Sequence, residues 1–278
     1  MPAFTYQKCS DLSQAMKWLA EDKDTFLLAG GTDLLVGIRG GKFKARQVAD
    51  IKDIEELKIL KEDQKGITIG AGVTLNEIAQ FEPVQKNVPI LAEGCNSIGT
   101  YSVRNRATLV GNICNASPAA DTAAPLYCLG AIVKIAGPGG ERQVGIEDFF
   151  TGPGQSALKA GELVTAILIP KPYPQGKGVY KKASRTRSVD LATVGVAVQR
   201  WGQEVRIALG AVAPTPVRAS SVEKAINEEN VTDAAQAASL VEKDISPISD
   251  LRGSREYRYH ISKVLVRRGL EETEEVCS

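Results

Sequence analysis

The spacing of hydrophobic positions changes several times along the chain, and each change marks an element. Leu12, Ala15, Met16 and Leu19 recur at helical spacing, which predicts an amphipathic helix over 11–20. Residues 25–29 form a short apolar run of the buried-strand type. The run enters Gly30-Gly31-Thr32, and 33–38 then reads as a helix. Residues 47–51 and 66–70 read as strands. Thr74 followed by Glu77 is a capping box, so a helix opens there. Residues 88–95 and 119–129 are helix-prone. Residues 131–136 form a strand that meets a hairpin turn at Gly137-Pro138-Gly139-Gly140, and 163–169 form a strand stopped by Pro170.

Beyond Pro170-Lys171-Pro172-Tyr173-Pro174 the pattern shifts. Three prolines in five residues stiffen the chain and make this the best linker candidate. Residues 194–201 and 205–212 alternate like paired strands around Gly202-Gln203, and 219–240 and 255–268 read as helices. A mixed α+β chain with a separate C-terminal α+β domain follows.

Composition narrows the function. The 278 residues are 43% apolar and 24% charged, with a net charge of +1, so a large core is expected and a nucleic-acid surface is not. The N-terminal segment has no basic stretch followed by an apolar one, and no run approaches the roughly 20 apolar residues of a membrane helix. The cytoplasm is the expected compartment. Cys9, Cys95, Cys114, Cys128 and Cys277 lack the spacing of a disulfide framework, a zinc site or an iron–sulfur site. They read as buried thiols. His260 is the single histidine and lies in a basic helical stretch, so the chemistry is expected to belong to a bound cofactor.

Two stretches carry that expectation. Glycines at 30 and 31, between a strand and a helix, let main-chain N–H groups approach a phosphate, and the helix start adds partial positive charge. Thr32 offers a hydroxyl. Asp33 would repel a phosphate, so its side chain is expected to cap the helix and point away. Taken alone, Gly-Gly-Thr is a weak signal that reads more readily as a tight turn. Gly70-Ala71-Gly72 lacks the third glycine of a dinucleotide fingerprint and reads as a turn before a capped helix. Gly37 to Lys42 lacks P-loop spacing, and Phe43 stands where Ser or Thr would hold magnesium. The second stretch, 98–117, is rich in Gly, Asn, Ser and Thr and too long to be a simple connection. It suits a loop wrapped around a large polar ligand. Thr108, Asn112 and Ser117 offer neutral hydrogen bonds, and Asp121 could accept from ribose hydroxyls or cap the next helix.

Residues 27–34 (Leu-Leu-Ala-Gly-Gly-Thr-Asp-Leu), followed about eighty residues later by 104–121, resemble the FAD-binding subunits of the xanthine dehydrogenase and carbon monoxide dehydrogenase family. Phe149-Phe150-Thr151-Gly152-Pro153, Glu162-Leu163-Val164, Tyr180-Lys181-Lys182-Ala183-Ser184-Arg185 and Leu251-Arg252-Gly253-Ser254-Arg255 resemble further marks of that family in the same order. The resemblance implies a flavin domain of the vanillyl-alcohol oxidase and p-cresol methylhydroxylase type, with FAD between two α+β subdomains. It divides the chain into 1–57 and 58–172 for those subdomains and 173–278 for a C-terminal α+β domain with a small antiparallel sheet. Residue by residue it places FAD contacts on Leu27, Leu28, Ala29, Gly30, Gly31, Thr32, Asp33 and Leu34, and on Ile98, Thr108, Leu109, Gly111, Asn112, Ser117 and Asp121. Weaker matches fall on Val164, Thr165 and Lys181. Val110 departs from the family's Gly-Gly-Asn.

His260 lies far from both motifs, so the FAD is expected to be non-covalent, and the Cys-rich insertion of the benzoyl-CoA-type reductases is missing. The implied function is electron relay. A molybdopterin-binding large subunit would oxidise the substrate, a small subunit with two [2Fe–2S] clusters would carry electrons, and FAD would pass them to NAD+ or another acceptor. No catalytic residue and no metal ligand is assigned to this chain. Lys181 could stabilise a reduced, anionic flavin, although the basic run of Lys177, Lys181, Lys182, Arg185 and Arg187 reads on its own as a solvated face. A self-contained flavin oxidase or reductase, and a non-catalytic nucleotide-binding scaffold, are the alternative readings.

Overall fold

The computed structural model describes residues 2–186 and 189–274. Arg187 and Cys277 lie outside the described residues. The chain begins with β1 (Thr5–Lys8), α1 (Leu12–Glu21), β2 (Thr25–Leu28), α2 (Leu34–Arg39) and β3 (Gln47–Asp50). The three strands pair in parallel in the order β1-β3-β2. Parallel neighbours need long crossovers, and α1 and α2 lie in those connections. Asp11 fixes the start of α1 by accepting from the Gln14 N–H at 2.9 Å.

A second unit follows. It opens with β4 (Leu60–Asp63) and β5 (Gly66–Gly70). The helices α3 (Leu75–Gln80), α4 (Glu82–Asn87), α5 (Pro89–Asn96), α6 (Tyr101–Arg104), α7 (Leu109–Cys114) and α8 (Ala123–Cys128) come next. It closes with β6 (Ile132–Gly137), β7 (Gly140–Gly145), α9 (Ile146–Phe149), the small pair β8 (Phe150–Gly152) and β9 (Gln155–Ser156), and β10 (Leu163–Pro170). The antiparallel sheet runs β4-β5-β10-β6-β7. Ile67, Ile69, Val133, Ile135, Ile167 and Ile169 project from the sheet into the largest core, shared with Leu75, Ile90, Leu109 and Ile113 of the helices.

The last unit contains β11 (Gly178–Ala183), β12 (Val194–Trp201), β13 (Glu204–Gly210), β14 (Val217–Arg218), α10 (Ser220–Asn227), α11 (Ala234–Ser239) and α12 (Arg255–Glu274), with the strands antiparallel in chain order. Val194, Val196 and Val198 of β12 join a core with Leu265, Val266 and Leu270 of α12. Ala197 and Ala208 join the core of the second unit instead. The sheet is therefore covered on both faces, which is why β12 is buried almost throughout its length. Gly269 lets α12 approach closely: a Cβ there would come within 2.6 Å of Val198 Cγ2.

Several sequence expectations need correction. The segment 219–240 is two helices rather than one. Asn230 adopts a positive φ of 56°, and Asp233 restarts the helix by capping Gln236 at 2.8 Å. The polar stretch 98–117 is not only loop. It folds α6 and α7, each opened by a threonine cap, Thr100 and Thr108. The helix expected over 119–129 begins at Ala123. The charged edge strand β4, the short α4 and the basic strand β11 gave too little apolar periodicity to be read.

Candidate functional site

The two stretches singled out in the sequence meet in the structure. Gly30 lies directly against the main chain of Arg106 and Ala107. A Cβ at residue 30 would overlap the Arg106 carbonyl oxygen and sit 2.9 Å from Ala107 Cα. Only glycine allows that approach. Gly31 takes a positive φ of 74°, which turns the chain from β2 into α2. Among the described residues, the N–H groups of Gly30, Gly31, Thr32, Asp33 and Leu34 have no protein acceptor. Five donors left over at one turn, beside a helix start, make a cradle for an anion.

Asp33 differs in detail from its expected role. It is exposed and lies at the N-cap of α2, but its side chain makes no cap bond. Its backbone is in the right-handed helical region (φ −97°, ψ −45°), whereas a capping side chain needs extended backbone to reach the next turn.

The amide-rich stretch is held from several sides. Ala107 accepts from Leu75 N–H at 2.9 Å, tying it to the start of α3. Thr108 Oγ1 accepts from Gly111 N–H at 3.0 Å, which caps α7. Leu109 and Val110 are buried behind it. Thr122 Oγ1 donates to Asn112 Oδ1 at 2.6 Å, which orients the amide and leaves its NH2 group as a donor. Ser117 Oγ accepts from Ala119 N–H at 3.2 Å and keeps its own proton for donation. The turn before α6 is also fixed: Arg104 donates to the carbonyls of Ile98 (3.1 Å) and Gly99 (3.3 Å) and to Asn76 Oδ1 (3.1 Å).

Asp121 is the buried charge of the region, 4% exposed. It does not cap α8, whose N-cap is Thr122. Tyr180 OH donates to Asp121 Oδ1 and Lys182 Nζ to Oδ2, both at 2.7 Å. Burial pushes the Asp121 carboxyl up, opposed by Lys182 and Tyr180, and burial beside Asp121 pushes the Tyr180 hydroxyl well up.

The weaker matches sit differently. Val164 is buried in the core on β10, and Thr165 spends its hydroxyl on the Lys134 carbonyl at 3.3 Å. Lys181 pairs with Glu272 of α12. Strand alternation explains this: Tyr180 and Lys182 face the second unit, and Lys181, like Val179, faces α12. The basic run is thus not a solvated face at 181 and 182. The contacts of Tyr180 and Lys182 with Asp121 were missed in the sequence, because β11 carries too little apolar alternation to be read as a strand.

His260 borders a shallow surface depression with Glu242, Glu256, Tyr259 and Lys263. Cys9, Cys95 and Cys128 are buried free thiols, and burial pushes Cys95 and Cys128 up to about 12. Such thiols stay protonated and unreactive.

These features fit a dinucleotide carrying a diphosphate. The paired loops offer main-chain donors and an oriented amide, and a buried carboxylate stands at the far end of the second loop. Comparison with known proteins agrees. Residues 2–172 match the model of the FAD binding domain in molybdopterin dehydrogenase, and 178–273 match that of the CO dehydrogenase flavoprotein C-terminal domain. The chain is 35% identical to the glyceraldehyde dehydrogenase medium chain of Sulfolobus acidocaldarius, covering 98% of each chain. It is 32% identical to the xanthine dehydrogenase FAD-binding subunit of Escherichia coli O157:H7, covering 96% of this chain and 95% of that one. It superposes on a chain of carbon monoxide dehydrogenase from Hydrogenophaga pseudoflava with a TM-score of 0.90 and 31% identity, over 100% of this chain and 99% of that one. With both family models matched in order and relatives aligned end to end, the chain belongs to the family of FAD-binding subunits of molybdopterin-containing dehydrogenases.

Proposed function

We propose that this chain is the electron-relay subunit of a molybdenum hydroxylase, binding one non-covalent FAD between residues 27–34 and 98–121. The contact of Gly30 with Arg106 and Ala107 carries the reading, because it joins the two stretches at a place where donors are left over. The free N–H groups at 30–34 would hold the diphosphate, with the start of α2 adding favourable dipole. The Thr108 and Ser117 hydroxyls and the Asn112 amide would donate to diphosphate or ribityl oxygens. Gly111 leaves room for the capping Thr108 hydroxyl at the start of α7, since a Cβ there would stand 2.9 Å from Thr108 Oγ1. Asp121 would accept from hydroxyls.

Bound FAD supplies the redox chemistry, collecting electrons and passing them on. The chain's share is to bind, orient and tune it. We assign substrate oxidation to a molybdopterin-binding large subunit, and electron delivery to a small subunit with two [2Fe–2S] clusters. The terminal acceptor is NAD+ or another oxidant, and the complex is placed in the cytoplasm. The division into 1–57, 58–172 and 173–278 belongs to the same reading. It is supported by the three larger sheets and by the change of core partners at β11.

The test uses the complex purified from its native source. Organic substrate added anaerobically is expected to bleach the flavin bands only when the molybdenum and iron–sulfur subunits are present. Bleaching by the isolated chain would favour a self-contained oxidase or reductase and defeat the relay.

A further inference from the structure

The Asp121 cluster links parts of the chain that are far apart in sequence. Its carboxylate comes from the end of the amide-rich stretch, and its hydroxyl and ammonium partners come from β11 of the last unit. Lys182 Nζ also donates to the Ser97 carbonyl at 3.1 Å. Three consecutive carbonyls, at 97, 98 and 99, are therefore held by two cations, Lys182 on the first and Arg104 on the other two. The Lys182 and Asp121 side chains are 13% and 5% exposed, so the pair is shielded from solvent and salt. Small residues make space for it. Gly195 and Ala197 of β12 stand opposite Lys182 and Tyr180, and a Cβ at Gly195 would overlap the Tyr180 hydroxyl.

We propose that Lys182 is a positioning residue through which the C-terminal sheet completes the flavin site. It holds the Asp121 carboxylate and the 97–99 turn, two parts of the proposed FAD wall, at a fixed separation. The inference rests on the reading that FAD lies between 27–34 and 98–121. Lys181, although adjacent, does not share this role, because its ammonium is engaged by Glu272 on the other face of β11. A buried cation paired with a buried carboxylate leaves the wall neutral, so a bound dinucleotide would meet no unpaired negative charge from Asp121. Removing the lysine leaves the carboxylate buried and unpaired, and the wall shifts or takes up a proton.

The test titrates the full-length chain, stripped of flavin, with FAD, reading flavin fluorescence for affinity and visible circular dichroism for the flavin's surroundings. Lys182→Met is expected to weaken FAD binding by about tenfold or more, the scale of one lost charge-assisted hydrogen bond. It is also expected to change the dichroism at saturating FAD. Lys182→Arg, which keeps the charge, should recover most of the affinity. A purely structural lysine would lower the melting temperature of the flavin-free chain but leave the saturated spectrum unchanged, and that pattern overturns the proposal. If Lys182→Met does not fold, the double variant Asp121→Asn with Lys182→Met removes both charges. It is expected to fold and bind FAD weakly, and wild-type affinity in it overturns the proposal. Wild-type chain that takes up no FAD would instead refute the underlying site, a result separate from any difference between variants.

Discussion

At residue 30 the structure leaves no room for a side chain, because the Arg106 carbonyl occupies the position a Cβ would take. Gly30→Ala is therefore expected to push the two loops apart. FAD affinity should fall by about tenfold or more, since the donors at 30–34 would no longer face the second loop. Equilibrium dialysis against FAD measures it, and unchanged affinity in a folded Gly30→Ala chain would contradict the site. The glycine pair was legible in the sequence because strand, glycines and helix stand in the order a phosphate loop requires. Its partner at Arg106 and Ala107 was not, because that contact is between main chains and leaves no side-chain signature. Asp33 shows the opposite limit: its type announces a cap, but its backbone angles decide that it does not make one. At 181 and 182, two adjacent lysines are equivalent in composition and opposite in direction, and only the strand assignment separates them.

Some elements whose ends are set by local chemistry were readable, although the caps at Thr100, Thr108 and Asp233 were not. The capping box at Thr74 and Glu77 is present as the sequence predicts, with Thr74 N–H donating to Glu77 Oε2 at 2.8 Å. Thr74→Ala should destabilise the chain by about 1 kcal/mol, measured by urea unfolding. No effect would mean that Leu75 N–H, already bonded to Ala107, fixes the helix start without the cap. The antiparallel sheet has a comparable local tie. Arg142 of β7 makes a two-pronged pair with Glu162, at 2.8 and 2.7 Å, just before β10. Arg142 holds the Glu162 carboxyl down to about 2. A depressed folded value means the stabilisation is complete above the ordinary carboxylate range and is lost as pH falls toward about 2. Glu162→Gln should cost about 1–2 kcal/mol at neutral pH. The gap to wild type should narrow on acidification below about pH 5. A gap that widened with acid would contradict the pairing. By contrast, β11 could not be recognised from its own residues, because Lys181 and Lys182 are drawn into the structure by Glu272 and Asp121, each remote in sequence.

On the scale of the whole molecule, three larger sheets and two larger cores place the two loops and the C-terminal strand around one region. The mixed fold class and the paired strands near the C-terminus followed from hydrophobic spacing alone. The joining of the units did not, since it depends on small residues such as Ala197 and Ala208 packing against the second unit's core. Among the described residues there is no group of three or more His, Cys, Asp or Glu side chains placed to hold a metal ion, and no helix is long and apolar enough to cross a membrane. Mixing FAD-loaded chain with NADH under anaerobic conditions probes the acceptor side of the proposed relay. Reduction is expected if NAD+ is the acceptor, and no spectral change would assign that role to another oxidant.

The most direct measurement is a crystal or cryo-EM map of the chain saturated with FAD. The account predicts diphosphate oxygens within about 3 Å of main-chain nitrogens at 30–34 and of the Thr108 to Asn112 segment at the same time. A map with the diphosphate against only one of those segments, or against neither, would contradict it.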